Sequence, residues 1–164
     1  MVFYFCIMKY KQLSKEQFEA LHDEFARFLA TQQIDAKEWS SIKNENSDMV
    51  EEELNLFSDM VWEDVLNKTR YLEHFSKNVI NLFKCRDKEM ERIVVKVKKK
   101  EFDFLNDTDY KWFIDNTNDT SVEFFKGQKK YDTERNTELF DIIQKGGVIS
   151  DGSLFENINK LLLL

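Results

Sequence analysis

The chain has 164 residues, is 42% hydrophobic and 34% charged, and carries a net charge of −7 at pH 7. Its 15 Phe, 5 Tyr and 3 Trp argue against disorder because they supply ample apolar area to bury, and its acidity disfavours non-specific nucleic-acid binding. Because it has no proline and only four glycines, it lacks the turn signals of an all-β protein, and helices are expected to dominate.

The chain begins with an apolar run, residues 2–7, that is too short to cross a membrane and lacks the flanks of a signal peptide. Two explanations stay open, a native leading strand and an upstream extension of residues 1–7 before a natural start at Met8, and the second is favoured. No membrane association is expected. Cys6 and Cys85 are the only cysteines, and two thiols in a chain of this size are typical of a reduced cytoplasmic protein.

The first predicted helix has a clear start signal. Ser14 and Gln17 form a capping-box pattern, in which the two side chains satisfy free backbone donors of the first turn. A helical stripe of apolar residues follows and predicts a helix from about Lys15 to Gln32. The stripe comprises Phe18, Leu21, Phe25, Phe28 and Leu29.

Three more helices are predicted in the first half of the chain. One starts after Asp35, a favourable N-cap residue, and the next spans about Asp48 to Lys68. The apolar residues of the range 71–83 suggest a fourth helix. Residues 44–47 carry no periodic apolar residues and are predicted to form a loop.

After Cys85 the pattern changes to that of β-strands. In residues 91–98, β-branched residues alternate in part with charged ones, which predicts a strand with one face in the core. Two shorter strands are predicted, one at residues 122–125 that ends at Gly127 and one at residues 148–149. In the first of the three strands, the residues expected in the core are Ile93, Val95 and Val97, and those expected in solvent are Arg92, Lys96 and Lys98.

Three helices are predicted between and after these strands. The first is capped near residues 107–108, and the second is capped near residues 132–133 and ends at Gly146 in a left-handed C-cap. Ser153 and Glu156 repeat the capping-box pattern and predict the start of the last helix.

These elements predict a fold of the α+β class that is mainly helical. An N-terminal bundle of about four helices is expected to share a core with a C-terminal part of two or three short strands and three helices. Because no linker rich in Gly, Ser or Pro is present, residues 1–164 are predicted to form a single domain. Its helical half is residues 8–85, and its α+β half is residues 86–164.

The charges are arranged in blocks along the chain. Residues 14–73 carry a net charge of −9, residues 74–100 carry +6, and residues 101–164 carry −6. The basic segment 84–100 could contact RNA phosphates or an acidic protein. Two structural explanations, an edge strand protected by lysines and pairing with the chain's own acidic helices, are favoured over RNA binding.

The candidate partner-binding residues come from the basic segment and from two tryptophans. Trp39 and Trp62 flank acidic residues on predicted helices, and exposed aromatic residues often mark protein contacts. At helical spacing, aromatic residues are more often part of a core. The full candidate set is Arg92, Lys96, Lys98, Lys99, Lys100, Trp39 and Trp62.

The search for catalytic or metal-binding motifs finds only fragments. Glu19 and His22 have the Glu-x-x-His spacing of di-iron helical bundles, but the only other histidine, His74, lacks a carboxylate three residues before it. No nucleophile motif surrounds Cys85, and the glycines of residues 145–153 are explained by helix ends and turns rather than by phosphate binding. No catalytic residue, metal or cofactor is therefore expected.

Three segments carry a resemblance to a known family. They are Met8–Gln17 (MKYKQLSKEQ), Glu51–Leu54 with Phe57–Asp59, and Tyr71–Ser76 (YLEHFS). With these segments, the chain resembles an uncharacterised domain-of-unknown-function family of Bacteroidota, from Met8 to the C-terminus. The resemblance implies that residues 1–7 lie outside the family's pattern. It brings no activity, cofactor or catalytic residue.

The sequence favours a cytoplasmic interaction or scaffold protein without catalytic activity, which binds another protein through its acidic helical half. Two alternatives are kept. One is an RNA- or ribosome-associated protein that uses the basic segment 84–100, and the other is a metalloprotein of the helical-bundle type. The sequence does not indicate the oligomeric state.

Overall fold

The computed structural model of the protein describes residues 7–163, which form seven helices and one five-stranded antiparallel sheet. The predicted α+β class is therefore confirmed. The chain divides into a first unit that ends at Val65 and a second unit that begins at Leu66. The predicted extension of residues 1–7 lies, apart from Ile7, outside the described residues, and so does Cys6.

The first unit contains the predicted early helices. The capping box of Ser14 and Gln17 is confirmed, and Asp35 caps the third helix by accepting hydrogen bonds from the backbone of Lys37 and Glu38. The predicted first helix is divided at Leu21, and the loop predicted at residues 44–47 is reduced to Asn46. The helices are α1 (Lys15–Ala20), α2 (His22–Thr31), α3 (Ala36–Glu45) and α4 (Ser47–Lys68).

Aromatic rings form the centre of the first unit. Phe57 of α4 is fully buried. The rings of Phe18, Phe25 and Phe28 lie 5.8, 5.0 and 5.4 Å from the Phe57 ring, centroid to centroid. At these distances aromatic pairs add to the stabilisation that comes from burying their area. The helical stripe of the sequence therefore meets α4 around one phenylalanine.

The second unit is built on the sheet, whose strand order is β4-β3-β2-β1-β5. All neighbouring strands are antiparallel. The strands are β1 (Tyr71–Phe75), β2 (Val79–Cys85), β3 (Glu89–Val97), β4 (Val122–Lys130) and β5 (Val148–Ser150).

The fourth helix predicted for the first half is wrong, because residues 71–83 form most of the hairpin of β1 and β2. Tyr71 and Phe75 are four residues apart, a spacing that puts side chains on one face of a helix and equally on one face of a strand. Both faces of β2 are buried, at Leu82 and at Phe83, so its apolar residues do not alternate with polar ones. The helical part therefore ends at Lys68 and not at Cys85, while the shared core of a single domain stays a prediction.

The three strands and three helices predicted after residue 86 are confirmed. The helices are α5 (Asp107–Asp115), α6 (Arg135–Gln144) and α7 (Ser153–Leu162). Two details differ. Strand β4 continues through Gly127 to Lys130, and α7 is capped by Gly152, so the predicted capping box of Ser153 and Glu156 does not form.

One face of the sheet, here called the α5/α7 face, carries the core of the second unit. Phe113 of α5 and Phe155 and Ile158 of α7 are buried against it together with Phe102 and Phe104. The sheet residues of this face that are buried in the core are Ile80, Leu82, Ile93, Val95 and Val97. The predicted core positions of β3 are therefore confirmed.

The opposite face, here called the α6 face, carries Leu72, Phe83, Cys85 and Met90. Helix α6 lies against the β1 side of this face, since it contacts β1 and buries Leu139 completely. Within residues 7–163, no helix is long and apolar enough to span a membrane.

A half-buried charge cluster ties α7 to the sheet. The Glu156 carboxylate accepts hydrogen bonds from the Lys84 ammonium and the Tyr71 hydroxyl. The hydrogen bond from Lys84 lowers the pKa of Glu156 below its ordinary value. Glu156 therefore stabilises the fold at pH values above its unfolded-state pKa, and this contribution is lost as the pH falls through its lower, folded-state pKa.

We expect the Glu156→Gln variant to be less stable than the wild type at pH 7 by roughly 1 kcal/mol, a modest value because the pair is partly exposed. The difference in melting temperature should shrink as the pH is lowered below about 4, where the wild-type carboxylate becomes protonated. Thermal unfolding followed by circular dichroism between pH 3 and pH 7 measures both effects. A difference that stays constant over this range would contradict the role of the charge.

Candidate functional site

A groove of about 810 Å³ lies on the α6 face, between α6 and the strands β3 and β4. Every residue that lines it belongs to the second unit. Its apolar lining comprises Phe83, Met90, Val94, Phe125 and Ile142, and its charged lining comprises Arg92, Lys126, Lys129, Asp132, Glu138, Asp141 and Lys145. The groove thus combines an apolar floor with a charged rim.

The floor of the groove is open to solvent. Phe125 of β4 is 55% exposed although it is a large aromatic residue in the middle of a strand. Val94, directly opposite Phe125 on β3, is half-buried. The side chains of Phe83 and Met90 lie deeper and are buried. A paired Phe and Val that keep this much contact with water form an apolar surface, and covering that surface lowers the free energy.

Gly127 of β4 lines the groove directly opposite Arg92 of β3. A Cβ atom added to Gly127 would meet no other atom within 4 Å, and the backbone of Gly127 does not have a positive φ. Neither crowding nor backbone conformation of this chain therefore requires glycine at this position. Glycine within a strand is costly and often marks a place where a ligand or another backbone approaches closely.

Arg92 is the charged residue of the groove whose orientation is best defined. Its Nε donates to the Asn81 side-chain oxygen at 3.1 Å, and its Nη2 donates to the same oxygen. Its guanidinium carbon lies 5.6 Å from the centre of the Phe83 ring. Both neighbours are neutral, and no carboxylate of the described chain forms an ion pair with Arg92. The cation is therefore held in position without being neutralised.

At the start of α6, the charged residues of the rim form ion pairs with one another. The Lys129 ammonium contacts Asp132 at 3.0 Å and Glu138 at 2.7 Å. The hydrogen bond to Glu138 raises the pKa of Lys129, so this lysine stays charged. Glu138 also accepts hydrogen bonds from the backbone of Asp132 and Thr133, which fixes the start of α6 against β4.

The basic segment 84–100 does not form one surface. Arg92 and Lys96 lie on the α6 face, whereas Lys84 lies on the α5/α7 face. Three of its cations pair with carboxylates of the chain: Lys84 with Glu156, Arg86 with Glu91, and Lys98 with Glu123. Of these three carboxylates, Glu156 lies on a helix, while Glu91 and Glu123 lie on β3 and β4, so among these pairs the predicted pairing with the chain's own acidic helices holds for Lys84 alone.

Two further cations of the segment lie beyond β3. The Lys99 ammonium is 3.5 Å from the centre of the Trp112 ring, in a cation–π contact, and Lys100 is exposed. The edge-strand explanation is wrong, because β3 pairs with β2 on one side and with β4 on the other. The lysines on the sheet's edge are those of β4, namely Lys126, Lys129 and Lys130.

The two candidate tryptophans are half-buried within the first unit. The Trp39 ring meets the Phe25 ring edge-on at 5.4 Å. The Trp62 indole nitrogen donates to the backbone oxygen of Lys11 at 3.0 Å. These contacts are those of packed residues of the first unit.

The residues of the partial catalytic and metal-binding motifs make separate contacts. His22 is exposed, and its ring nitrogens meet the backbone oxygen of Glu19 and the carboxylate of Asp23. Burial raises the pKa of the Cys85 thiol to about 12, which makes it a poor nucleophile at neutral pH. Among residues 7–163, no group of three His, Cys, Asp or Glu side chains could hold a metal ion.

Sequence reasoning identified Arg92 but missed the groove around it. The sequence pattern predicts the end of a strand at Gly127. The exposure of Phe125 depends on where α6 crosses the sheet, and no local pattern reveals that position.

The fold and the groove define an α+β protein with an open groove on one face of an antiparallel sheet. Over residues 8–163 the chain matches the model of a family described as "Family of unknown function (DUF6495)", and it belongs to this family. The family membership indicated by the sequence is confirmed, while its origin in Bacteroidota stays a prediction. No curated protein and no solved structure matches the chain.

Proposed function

We propose that the chain is a cytoplasmic, non-catalytic interaction protein that binds a segment of another protein in the groove of the α6 face. The observation that carries this proposal is the exposed apolar floor, centred on Phe125, which is 55% exposed. Aromatic residues at the centre of an interface commonly contribute most of its binding energy.

The form of the groove favours a macromolecular partner. Its volume of about 810 Å³ lies near the upper end of the range for small-molecule pockets, but such pockets enclose most of their ligand. This groove is open along a sheet face and has a polar rim, which is the arrangement of a protein interface. A peptide segment can cover Phe125 and Val94 together, whereas a small ligand would leave much of the floor in water.

The sequence alone favoured the acidic helical half as the partner-binding surface. The half-buried, packed positions of Trp39 and Trp62 give that version less support than the groove receives. Binding through the acidic helices stays a prediction that the experiment below can separate from binding in the groove.

RNA binding receives less support for a physical reason. Three carboxylates, those of Asp132, Glu138 and Asp141, line the groove beside α6 and would repel a phosphate backbone. The internal ion pairs of Lys84, Arg86 and Lys98 further reduce the charge that segment 84–100 offers to RNA. The metalloprotein alternative is supported by no group of ligands in the described part of the chain.

Gly127 provides a test that changes the groove and leaves the fold intact. We expect the Gly127→Trp variant to lose at least 90% of the partner recovered by the wild type, because the indole would occupy the groove beside Arg92. The matched control, Gly127→Ala, should retain the partner, since its methyl group projects into open space. Affinity purification from the native cell, with quantitative mass spectrometry of the three samples and their RNA content, measures this.

Equal recovery by all three proteins would remove the groove as the binding site and would favour the acidic helices. Recovery of RNA alone, sensitive to salt and unchanged in Gly127→Trp, would favour the basic segment instead. Circular dichroism of both variants checks that the sheet is intact.

A further inference from the structure

Building on the proposed function, we infer that the groove receives an acidic amphipathic helix of a partner protein, with Arg92 as the anchor for one of its carboxylates. The inference rests on the uncovered part of the sheet, on the balance of charge around it, and on the glycine beneath it.

The sheet is covered unequally on its two faces. Of the helices that lie wholly in the second unit, α5 and α7 pack on the α5/α7 face and α6 packs on the α6 face. Helix α6 lies toward β1, because Gly146 just after it approaches the His74 ring of β1. The β3 and β4 side of this face is left open as the groove.

The open part of the α6 face has the width of one helix. Neighbouring strands are about 4.8 Å apart, and a helix with its side chains is about 10 Å across. Two neighbouring strands therefore offer the width that one helix needs. An extended peptide would instead be expected to pair with the free edge of β4, which lies beside the groove and not on its floor.

The two sides of the groove differ in charge, with free cations on β3 and carboxylates beside α6. Arg92 and Lys145 form no ion pair with the described residues, and Lys96 continues the positive side of β3 on the same face. Beside α6, Lys129 offsets one of the two charges of Asp132 and Glu138, and the exposed Asp141 adds a further carboxylate. An occupant that places a carboxylate near Arg92, away from Asp141, would form a favourable pair.

Arg92 is prepared for this role by its neighbours. The Asn81 oxygen accepts from Nε and Nη2, and the guanidinium carbon lies 5.6 Å from the centre of the Phe83 ring, so the side chain is already oriented and loses less entropy on binding than a mobile one. The Nη1 side of the guanidinium remains available to a carboxylate. An arginine held in this way is a stronger anchor than a mobile lysine.

Gly127 allows the occupant to approach closely. It lies opposite Arg92 and next to the row that contains Phe125 and Val94. Without a side chain at Gly127, the backbone of a docked helix can come close enough for its apolar residues, spaced three and four apart, to contact Phe125 and Val94. The same helix then presents its acidic side toward Arg92.

Designed peptides test the inference on the full chain. The acidic helix is a fluorescein-labelled, cross-linked helical peptide with leucines at positions i, i+3, i+4 and i+7 and glutamates elsewhere. The basic helix is the same peptide with lysines in place of the glutamates. The two remaining probes are a scrambled acidic peptide and a uridine oligonucleotide. Fluorescence anisotropy measures their dissociation constants for the wild type, Arg92→Glu, Gly127→Trp and Gly127→Ala at 150 mM salt.

We expect the acidic helix to bind the wild type at least tenfold more tightly than the basic helix or the scrambled peptide. Arg92→Glu should weaken it by at least tenfold and Gly127→Trp should abolish its binding, while Gly127→Ala should bind within twofold of the wild type. No binding of the acidic helix, equal binding of the basic helix, tighter binding of the oligonucleotide, or no effect of Arg92→Glu would each overturn the inference.

The partner recovered from the cell separates this inference from the proposed function. If Gly127→Trp loses the partner and Arg92→Glu keeps it, the groove remains the binding site and the acidic helix is wrong. If both variants keep the partner, the groove itself is wrong.

Discussion

Replacing Arg135 with alanine should lower the free energy of unfolding by about 3 kcal/mol, because one guanidinium binds four backbone oxygens from two separate segments of the second unit. Arg135 is the first residue of α6, and all five of its N–H groups are used. It donates to the backbone oxygens of Leu66, Thr69, Cys85 and Arg86 and to the Asn136 side chain.

These acceptors explain why the effect should be large. Leu66 belongs to the last turn of α4, where backbone oxygens have no partner within the helix and the helix dipole favours a cation. The oxygens of Cys85 and Arg86 lie at the end of β2. Alanine would leave all of them without this donor, and water can replace it only where the site is open.

A matched pair of variants tests the explanation. Arg135→Lys keeps the charge but offers three donors from a single point, so it should recover less than half of the loss. Arg92→Ala removes an exposed arginine that is bound to one neutral oxygen, and it should cost less than about 1 kcal/mol. Urea unfolding gives the free energies, and hydrogen exchange should show faster opening around residues 66–70 in Arg135→Ala. Equal losses for Arg135→Ala and Arg92→Ala would contradict the proposed role.

Arg135 also illustrates what the sequence could predict. A cation in the first turn of a helix opposes the helix dipole, and this mismatch is a signal that its charge is used elsewhere. The acceptors lie about 50 and 69 residues away along the chain, so no local pattern names them. Function and fold share this limit, because the groove too is formed by residues that are distant in sequence.

The local elements of the first unit were predictable because their signals act over a few residues. The capping residues Ser14 and Asp35 place the starts of α1 and α3 correctly, and the apolar stripe finds the side that meets Phe57. Such signals depend on hydrogen bonds and periodicity within one turn or two, which tertiary contacts rarely override.

The hairpin of β1 and β2 shows where such reasoning stops. Its residues are apolar on both faces because helices pack on both sides of the sheet, so the strand period is hidden. The capping-box pattern at Ser153 and Glu156 fails for a related reason. The Glu156 carboxylate forms its bonds with Lys84 and Tyr71, whose positions depend on the sheet. These partners, which are distant in sequence, compete with the local cap for the Glu156 side chain, and the capping box therefore does not form.

Replacing Gly152 with alanine should destabilise the protein by about 3 kcal/mol, the sum of a backbone cost and a steric cost. Gly152 has φ 81° at the start of α7, a left-handed conformation that costs an L-residue roughly 1–2 kcal/mol. A Cβ atom there would lie 2.4 Å from Cδ2 of the Tyr71 ring. The Tyr71 hydroxyl donates to Glu156 at 2.8 Å, so the ring cannot move aside without losing this bond.

Two of the other glycines, Gly146 and Gly127, complete a graded series that separates the backbone cost from the steric cost. Gly146 has φ 100°, but the nearest atom to its added Cβ is the His74 ring at 3.4 Å, so Gly146→Ala should carry the backbone cost with little steric cost. Gly127→Ala carries neither, and it should leave stability unchanged or raise it by up to about 1 kcal/mol by restricting the unfolded chain. Urea unfolding of the three variants should therefore order the losses as Gly152, then Gly146, then Gly127. Similar losses of stability for Gly152→Ala and Gly146→Ala would show that the Tyr71 ring moves aside at little cost in free energy. A loss for Gly127→Ala comparable to that for Gly146→Ala would mean that the fold itself requires glycine at residue 127, and it would remove the argument that this glycine serves a bound helix.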